Sequence, residues 1–216
     1  MTANGMPVRK PSDLVETDAA IVAVPAHDYV GRGALKLAFG LEHWQIDLMG
    51  RVVLDIGAST GGFTEVCLRG GAITVYAVDV GQGQLHPRIA ADARVVSLEK
   101  TDARTLDRTL IPREVDVVVC DVSFVSLTKV LSRALDLAQA GADLIALVKP
   151  QFEAGRAAVG KGGIVTNDGA RADAVRAVSD YLEAHGWAVL DTVTSPVTGG
   201  DGNVEVLLHA RKRRPG

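Results

Sequence analysis

Cysteine is scarce in this 216-residue chain. There are two, Cys67 and Cys120, too few for a disulfide framework. That scarcity fits a reducing compartment, so a cytoplasmic protein is expected. An excess of positive charge is lacking too. Lys plus Arg number 23 against 26 Asp plus Glu, a net charge of −3. This excludes a wholesale basic nucleic-acid binder but leaves room for a local basic patch. No apolar run approaches the ~18 residues that span a bilayer. The opening residues, MTANGMPVRKPSDLVETD, hold no apolar signal region, and the short run from Ala19 to Ala26 is broken by Pro25. No membrane association is expected. The five histidines show no H-E-x-x-H spacing, and no metal is expected. Internal repeats and low-complexity tracts are absent. What is present, 47% hydrophobic and 23% charged residues, is the composition of a globular core, in one domain or one domain with a small appendage.

Residues 1 to about 30 have no helical period and carry Pro7, Pro11 and Pro25. They read as an extended leader. A helix is expected from about Gly33 to Trp44. Then strands and helices alternate. RVVLDI (51–56), AITVYAVDV (72–80), ARVVSL (93–98), VDVVVCDV (115–122) and DLIALVK (143–149) are short, continuous apolar runs. Such runs suit strands buried on both faces of a parallel sheet. Helical period follows Gly62, where Phe63, Val66 and Cys67 share a face. It recurs from Leu127 to Ala138 and from Ala174 to Leu182. The alternation predicts an α/β fold with a doubly wound, mostly parallel sheet. WAVLDTV (187–193) and NVEVLLHAR (203–211) are joined only by a short Gly-rich link, so these two strands should pair antiparallel.

The sharpest local motif is LDIGASTGGFT (54–64): a strand ending in Asp55, a Gly-rich turn, then a helix. Glycine lets the backbone approach a ligand closely. The spacing Gly57, Gly61, Gly62 does not match the dinucleotide pattern G-x-G-x-x-G. The next strand ends in Asp79, 24 residues after Asp55, where an acid typically binds ribose hydroxyls. Asp102 follows the third strand, within reach of an adenine amino group. Singly, each is an ordinary loop acid or helix cap. In order at successive strand ends, they suit S-adenosylmethionine better than a nicotinamide dinucleotide.

Candidate catalytic groups converge on the same edge. Asp121 ends the fourth strand, Lys149 ends the fifth, and Glu205 opens the last, whose reversed direction brings its start to that edge. Lys36 lies in the preceding helix and folds over it. Two lysines sharing one partly dry site favour a neutral amine, because like charges oppose each other. A neutral lysine accepts a proton from a hydroxyl nucleophile. Each residue alone is more often a surface charge, but a buried strand ending in a lone lysine is rare unless that lysine is paired. Cys120 and Cys67 read as packing residues, and the Pro-Cys of a base-carbon methylating nucleophile is absent. The pattern of amino methyltransferases, Asn or Asp followed by Pro-Pro and an aromatic, is also absent, since Asp121 opens DVSF. A nicotinamide oxidoreductase and a non-catalytic module that binds cofactor or ribosome are the readings of other classes.

GRGALKL (31–37), LDIGASTGGFT, VYAVDVGQGQL (75–85), CDVSFVSL (120–127), LVKPQFEAGR (147–156), VGKGGIV (159–165) and SPVTGGDGNVEVLLHARK (195–212) together resemble the TlyA, or hemolysin A, family of ribosomal RNA methyltransferases. Its catalytic part is similar to FtsJ-type 2′-O-methyltransferases with a Lys-Asp-Lys-Glu tetrad, which by motif falls on Lys36, Asp121, Lys149 and Glu205. The resemblance implies a Rossmann-like seven-stranded sheet, mostly parallel with an antiparallel last strand. It implies S-adenosylmethionine as methyl donor and cytidine 2′-hydroxyls of ribosomal RNA, free or in ribosomal subunits, as acceptors. Cofactor contacts are expected from Asp55, the turn Gly57, Ala58, Ser59, Thr60, Gly61, Gly62 and Phe63, then Asp79, Val80, Asp102 and Asp121. Lys149 is expected to act as base or to orient the hydroxyl, Asp121 to orient Lys149, and Glu205 to orient the lysine pair.

The family carries an N-terminal RNA-binding module, of which only MPVRKPSDLVETDAAIVAV resembles the end. Residues 1–28 are therefore expected to be a leader or a remnant of that module, 29–212 the methyltransferase domain, and 213–216 a basic tail. Phosphate neutralisation dominates RNA affinity, so any grip must be local. Arg32, Arg156 and Lys161 are the candidates, the last two in a Gly-rich loop (154–163) that holds RNA, closes over substrate or is simply mobile. The oligomeric state is left open.

Overall fold

The β-branched runs form strands close to their expected limits. In the computed structural model, which describes residues 2–8, 13–22, 27–155 and 158–214, three two-residue strands come first. These are β1 (Thr2–Ala3), β2 (Met6–Pro7) and β3 (Ile21–Val22), paired antiparallel in the order β2-β1-β3. The first residues thus carry a small sheet of their own. The main sheet is built from β4 (Val52–Ile56), β5 (Thr74–Val78), β6 (Val95–Leu98), β7 (Val115–Cys120), β8 (Ala138–Val148), β9 (Trp187–Thr194) and β10 (Val206–Lys212). Its seven strands run in the order β6-β5-β4-β7-β8-β10-β9. β4 to β8 pair parallel. β10 is antiparallel to both neighbours, β8 and β9. The order reverses at β4 and β7, and the crevice outside the carboxyl ends of such strands is where open α/β sheets bind ligands.

Among the described residues, seven helices join the strands: α1 (Gly33–Trp44), α2 (Gly62–Arg69), α3 (Pro87–Ala90), α4 (Leu127–Val130), α5 (Ser132–Leu137), α6 (Pro150–Glu153) and α7 (Asp168–Ala184). Alternate strand residues feed two cores. Val53, Val75, Val117, Val119, Ile145, Leu147 and Leu207 pack under α1, α2 and α3. Leu54, Ile56, Tyr76, Val118, Leu144, Ala146 and Leu208 pack under α4, α5 and α7. A period of two within continuously apolar strands is what helices on both faces require. Among the described residues, no helix is long and apolar enough to cross a membrane.

One boundary differs from expectation. The apolar stripe predicts helix through Ala138, followed by a strand from Asp143. Instead α5 stops at Leu137 and β8 already starts at Ala138. Lys212 Nζ donates to the carbonyls of Leu135 (2.8 Å) and Ala138 (2.7 Å), satisfying acceptors that another helical turn would need. The extra residues form an irregularity opposite β7, where pairing jumps from Val115↔Ala138 to Val117↔Asp143. Gly141, at φ +82, lies within it.

Helix α1 is registered on β10 by three successive contacts. Lys36 meets Glu205 just before the strand, Gly40 lies over Leu207, and the ring centroids of Trp44 and His209 are 5.1 Å apart. Four helical residues advance about 6 Å and two strand residues about 6.6 Å, so the two spacings nearly match. Gly40 makes the close approach possible, since a Cβ there would sit 3.1 Å from the Trp44 ring and 3.6 Å from Leu207.

Candidate active site

The two-residue period of the strands decides where the site faces. Asp121 continues the parity of Val117 and Val119, Lys149 that of Ile145 and Leu147, and Glu205 that of Leu207. All three therefore emerge on the face covered by α1 and α2. The pairing Val206↔Val148 makes Lys149 and Glu205 the next pair along the same register.

Two adjoining cavities open over these strand ends. The larger, about 400 Å³, is walled by Gly57, Ser59, Asp79, Val80, Asp102 and Asp121, all expected cofactor residues. The smaller, about 210 Å³, takes in Gly57 through Thr60, Gly62 and Phe63, together with Asp121, Lys149 and Arg32. Gly57, Ser59, Asp121 and Ser123 border both. Gly57 adopts φ +84, and a Cβ on it would stand 2.7 Å from the Asp121 carbonyl oxygen. Only glycine lets the two strand ends approach this closely. Gly61 is not on either wall. It packs inward, where a Cβ would meet Leu85 at 2.8 Å.

Asp79 is already half engaged. Its Oδ2 accepts the Ser59 N–H (2.8 Å) and its Oδ1 the Gly81 N–H (2.7 Å), locking the Gly-rich turn to the loop after β5. Asp102 caps a 3₁₀ turn through the Arg104 N–H and pairs with the Arg104 guanidinium at 2.5 Å. That guanidinium, with the backbone N–H, pulls the Asp102 carboxyl down to about 2.

The four charged groups sort into two pairs. Lys149 Nζ lies 2.6 Å from Asp121 Oδ1. That contact is not aligned as a hydrogen bond; the aligned one goes to Ser123 Oγ at 2.7 Å. Lys36 Nζ donates to Glu205 Oε2 at 2.5 Å, with the two residues 7% and 2% exposed. Lys149 and Asp121 line the smaller cavity, whereas Lys36 and Glu205 line neither. Each lysine has its own carboxylate, so Glu205 holds Lys36 rather than the lysine pair. Glu205 is roofed by Gly199, where a Cβ would stand 2.8 Å from its Oε1.

Asp55 shares the parity of Asp121 but is wholly buried beneath α2, away from the cavity walls. Its Oδ2 accepts the Thr64 hydroxyl at 2.6 Å, while Oδ1 has no hydrogen-bond partner among the described residues. Burial, opposed by Thr64 and helped by the Asp121 charge, pushes the carboxyl up to about 7. The unfolded chain ionises near 3.8, so the folded state holds the extra proton between about pH 4 and 7. This contribution to stability is present at low pH and is lost as pH rises through that window, by up to about 1.4 kcal/mol per pH unit. Asp55→Asn is expected to flatten the dependence, as read by denaturant unfolding at pH 5 and pH 8. An unchanged slope would mean another group carries it.

Of the RNA candidates, Arg32 is exposed on the wall of the smaller cavity. Lys161 is exposed on a 3₁₀ turn and lines neither cavity. Arg156 lies outside the described residues. Sequence reasoning missed Gln84, Thr101, Ser123 and Phe124 on the larger cavity. For Ser123 a signal existed: it stands two residues past the strand-end acid, in a DVSF motif from which only the acid was taken as a site residue. Phe124, at φ +66, is 89% exposed, with its ring centroid 5.2 Å from that of Phe152. Cys67 and Cys120 are fully buried, and burial pushes both thiols up, as packing residues require.

A mostly parallel seven-stranded sheet with one reversed strand, a glycine turn after β4 and acids at the neighbouring strand ends define a Rossmann-like fold of the S-adenosylmethionine-dependent methyltransferase class. The chain belongs to the FtsJ-like methyltransferase family, whose model matches residues 29–212. It is 45% identical over 210 residues to the 16S/23S rRNA (cytidine-2′-O)-methyltransferase TlyA of Mycobacterium tuberculosis, covering 96% of this chain and 78% of that one. It is 41% identical over 202 residues to Bacillus subtilis YqxC, assigned as an rRNA methyltransferase, covering 93% and 72%. The crystal structure of a Lactococcus lactis protein assigned as a hemolysin superposes with a TM-score of 0.82 at 39% identity, covering 85% of this chain and 88% of that one.

Proposed function

We propose that this protein methylates the ribose 2′-hydroxyl of cytidine in ribosomal RNA, free or within ribosomal subunits, with S-adenosylmethionine as donor. The observation that carries the reading is the Lys149–Asp121 pair at the junction of two cavities, one walled by the glycine turn and strand-end acids, the other reached by Lys149. The cofactor supplies a methyl already activated on a sulfonium, so the residues have mainly to bind, align and move one proton.

The residues present fit that cofactor. Gly57 keeps the turn clear of side chains at its closest approach to Asp121. A carboxylate has about four lone-pair directions, and Asp79 uses two on backbone N–H groups. The others are left for two ribose hydroxyls. Asp102, held ionised by Arg104, is an acceptor for an adenine amino group. Lys149, once its ammonium has given a proton to water, takes the proton from the acceptor hydroxyl, and Asp121 stabilises the ammonium that is restored. Lys36 and Glu205, behind the cavity, hold the start of α1 against β10 and keep Arg32 at the rim. Arg32 offers a guanidinium to a backbone phosphate, and the exposed Phe124 ring is a surface on which a splayed-out base stacks. Residues 29–212, which the family model matches, form the methyltransferase domain. A ribosomal substrate places the activity in the cytoplasm.

The test is transfer of labelled methyl from S-adenosylmethionine to isolated subunits and intact ribosomes. Label is expected in cytidine as an alkali-resistant 2′-O-methyl group. Label on a base, or binding of S-adenosylhomocysteine without transfer to any RNA, would overturn the reading.

A further inference from the structure

We propose that Ser123 is a positioning residue for methyl transfer, its hydroxyl setting the direction of the Lys149 amine. The proposal rests on the methyltransferase reading above. Lysine ends in a rotatable ammonium on a flexible stem, so its position does not by itself aim its protons or lone pair. The close charge of Asp121 attracts the amine at 2.6 Å without an aligned bond. Among the described residues, the one aligned hydrogen bond of the Lys149 amine is donated to Ser123 Oγ, at 2.7 Å. That bond fixes the rotation of the amine about its terminal torsion. With one direction given to Ser123 and another drawn towards Asp121, the third is left for the acceptor cavity that Lys149 lines.

Ser123 is not free to follow the lysine, because its loop is braced independently. Glu153 accepts the Ser126 hydroxyl at 2.6 Å and the Leu127 N–H at 2.8 Å, tying the loop to α6. Phe124 turns the chain through φ +66 and sets its ring against Phe152. The Ser123 backbone is therefore held in place at the boundary of the two cavities, from which its hydroxyl reaches Lys149. Ser123 changes no protonation state in the reaction. The proton of the acceptor hydroxyl ends on the Lys149 amine, and Ser123 accepts the same hydrogen bond before and after.

The experiment is steady-state methylation by Ser123→Ala and Ser123→Thr proteins beside the wild type, with S-adenosylhomocysteine binding and thermal unfolding as companions. Ser123 is exposed, so both variants should fold with unchanged melting temperature. Ser123→Ala is expected to lose about tenfold in kcat, with KM for cofactor and RNA changed less than about twofold, and Ser123→Thr to recover most of the rate. Full kcat in Ser123→Ala, a loss carried by KM alone, or no recovery in Ser123→Thr would overturn this proposal alone. A wild-type protein that binds cofactor but methylates no RNA would overturn the underlying reading and this proposal with it.

Discussion

Lys149→Ala should methylate RNA about 10²–10⁴-fold more slowly than the wild-type protein, the range that a positioned acid or base contributes. The lysine is 7% exposed, its stem is held by β8, and its amine faces the smaller cavity between Asp121 and Ser123. No other lysine of the expected tetrad lines that cavity, so none can replace it. Truncation also leaves Asp121 without the amine that faces it at 2.6 Å. Lys149→Arg should fail almost as badly, because a guanidinium keeps its proton and lacks the compact amine geometry. The loss should fall on kcat, with S-adenosylhomocysteine binding nearly unchanged, since the glycine turn and Asp79 stay intact. Single-turnover methylation with saturating cofactor reads the step directly. Retention of more than about a tenth of the rate would remove Lys149 from the proton-transfer role.

The second large effect is on stability. Glu205→Ala should cost about 3–5 kcal/mol in denaturant unfolding, the range for breaking a buried pair by removing one partner. The mutation strands the Lys36 ammonium in a site where both residues are almost fully covered. Removing both charges should cost much less. A Lys36→Met, Glu205→Leu double variant is expected to be closer to wild type than Glu205→Ala is, with the difference appearing as a coupling energy in a double-mutant cycle. Gly199 sits directly over Glu205, so the double variant must repack that loop, which limits the recovery. A Glu205→Ala protein within about 1 kcal/mol of wild type would show that Lys36 loses its proton or reaches water instead.

Much of the site was legible because its residues lie at strand ends. Strands of continuous apolar character announce their own limits, and the acid or lysine that follows must lie on the ligand edge of a parallel sheet. Asp79, Asp102, Asp121 and Lys149 were found that way. Glu205 needed one more inference: the link between the last two strands is too short for a crossover, which reverses β10 and brings its start to the same edge. Asp55 shows the limit of the method. Read as the end of the first long strand, it lies inside β4, one residue before Ile56, where the start of α2 covers it and Thr64 takes one of its oxygens. A strand-end position does not tell whether the next helix folds over the side chain. Ser123 was missed for a related reason, because its contact with Lys149 crosses between loops after two different strands.

The sequence by itself determined the alternation of strands and helices, the reversal of the last strand, and the collection of charges at one edge. These follow from periodicity and link length, properties carried by neighbouring residues. Tertiary structure decided how the charges divide: Lys149 with Asp121 and Ser123 in the cavity, Lys36 with Glu205 behind it. That division depends on how α1 seats on β10, joining residues 169 positions apart. Their relative placement comes from Gly40 over Leu207 and from the packing of the sheet between them. The end of α5, set by Lys212 from the last strand, was decided in the same way. Hydrogen bonds and ion pairs act over a few ångströms in space, and a chain must be folded before such distances between remote residues exist.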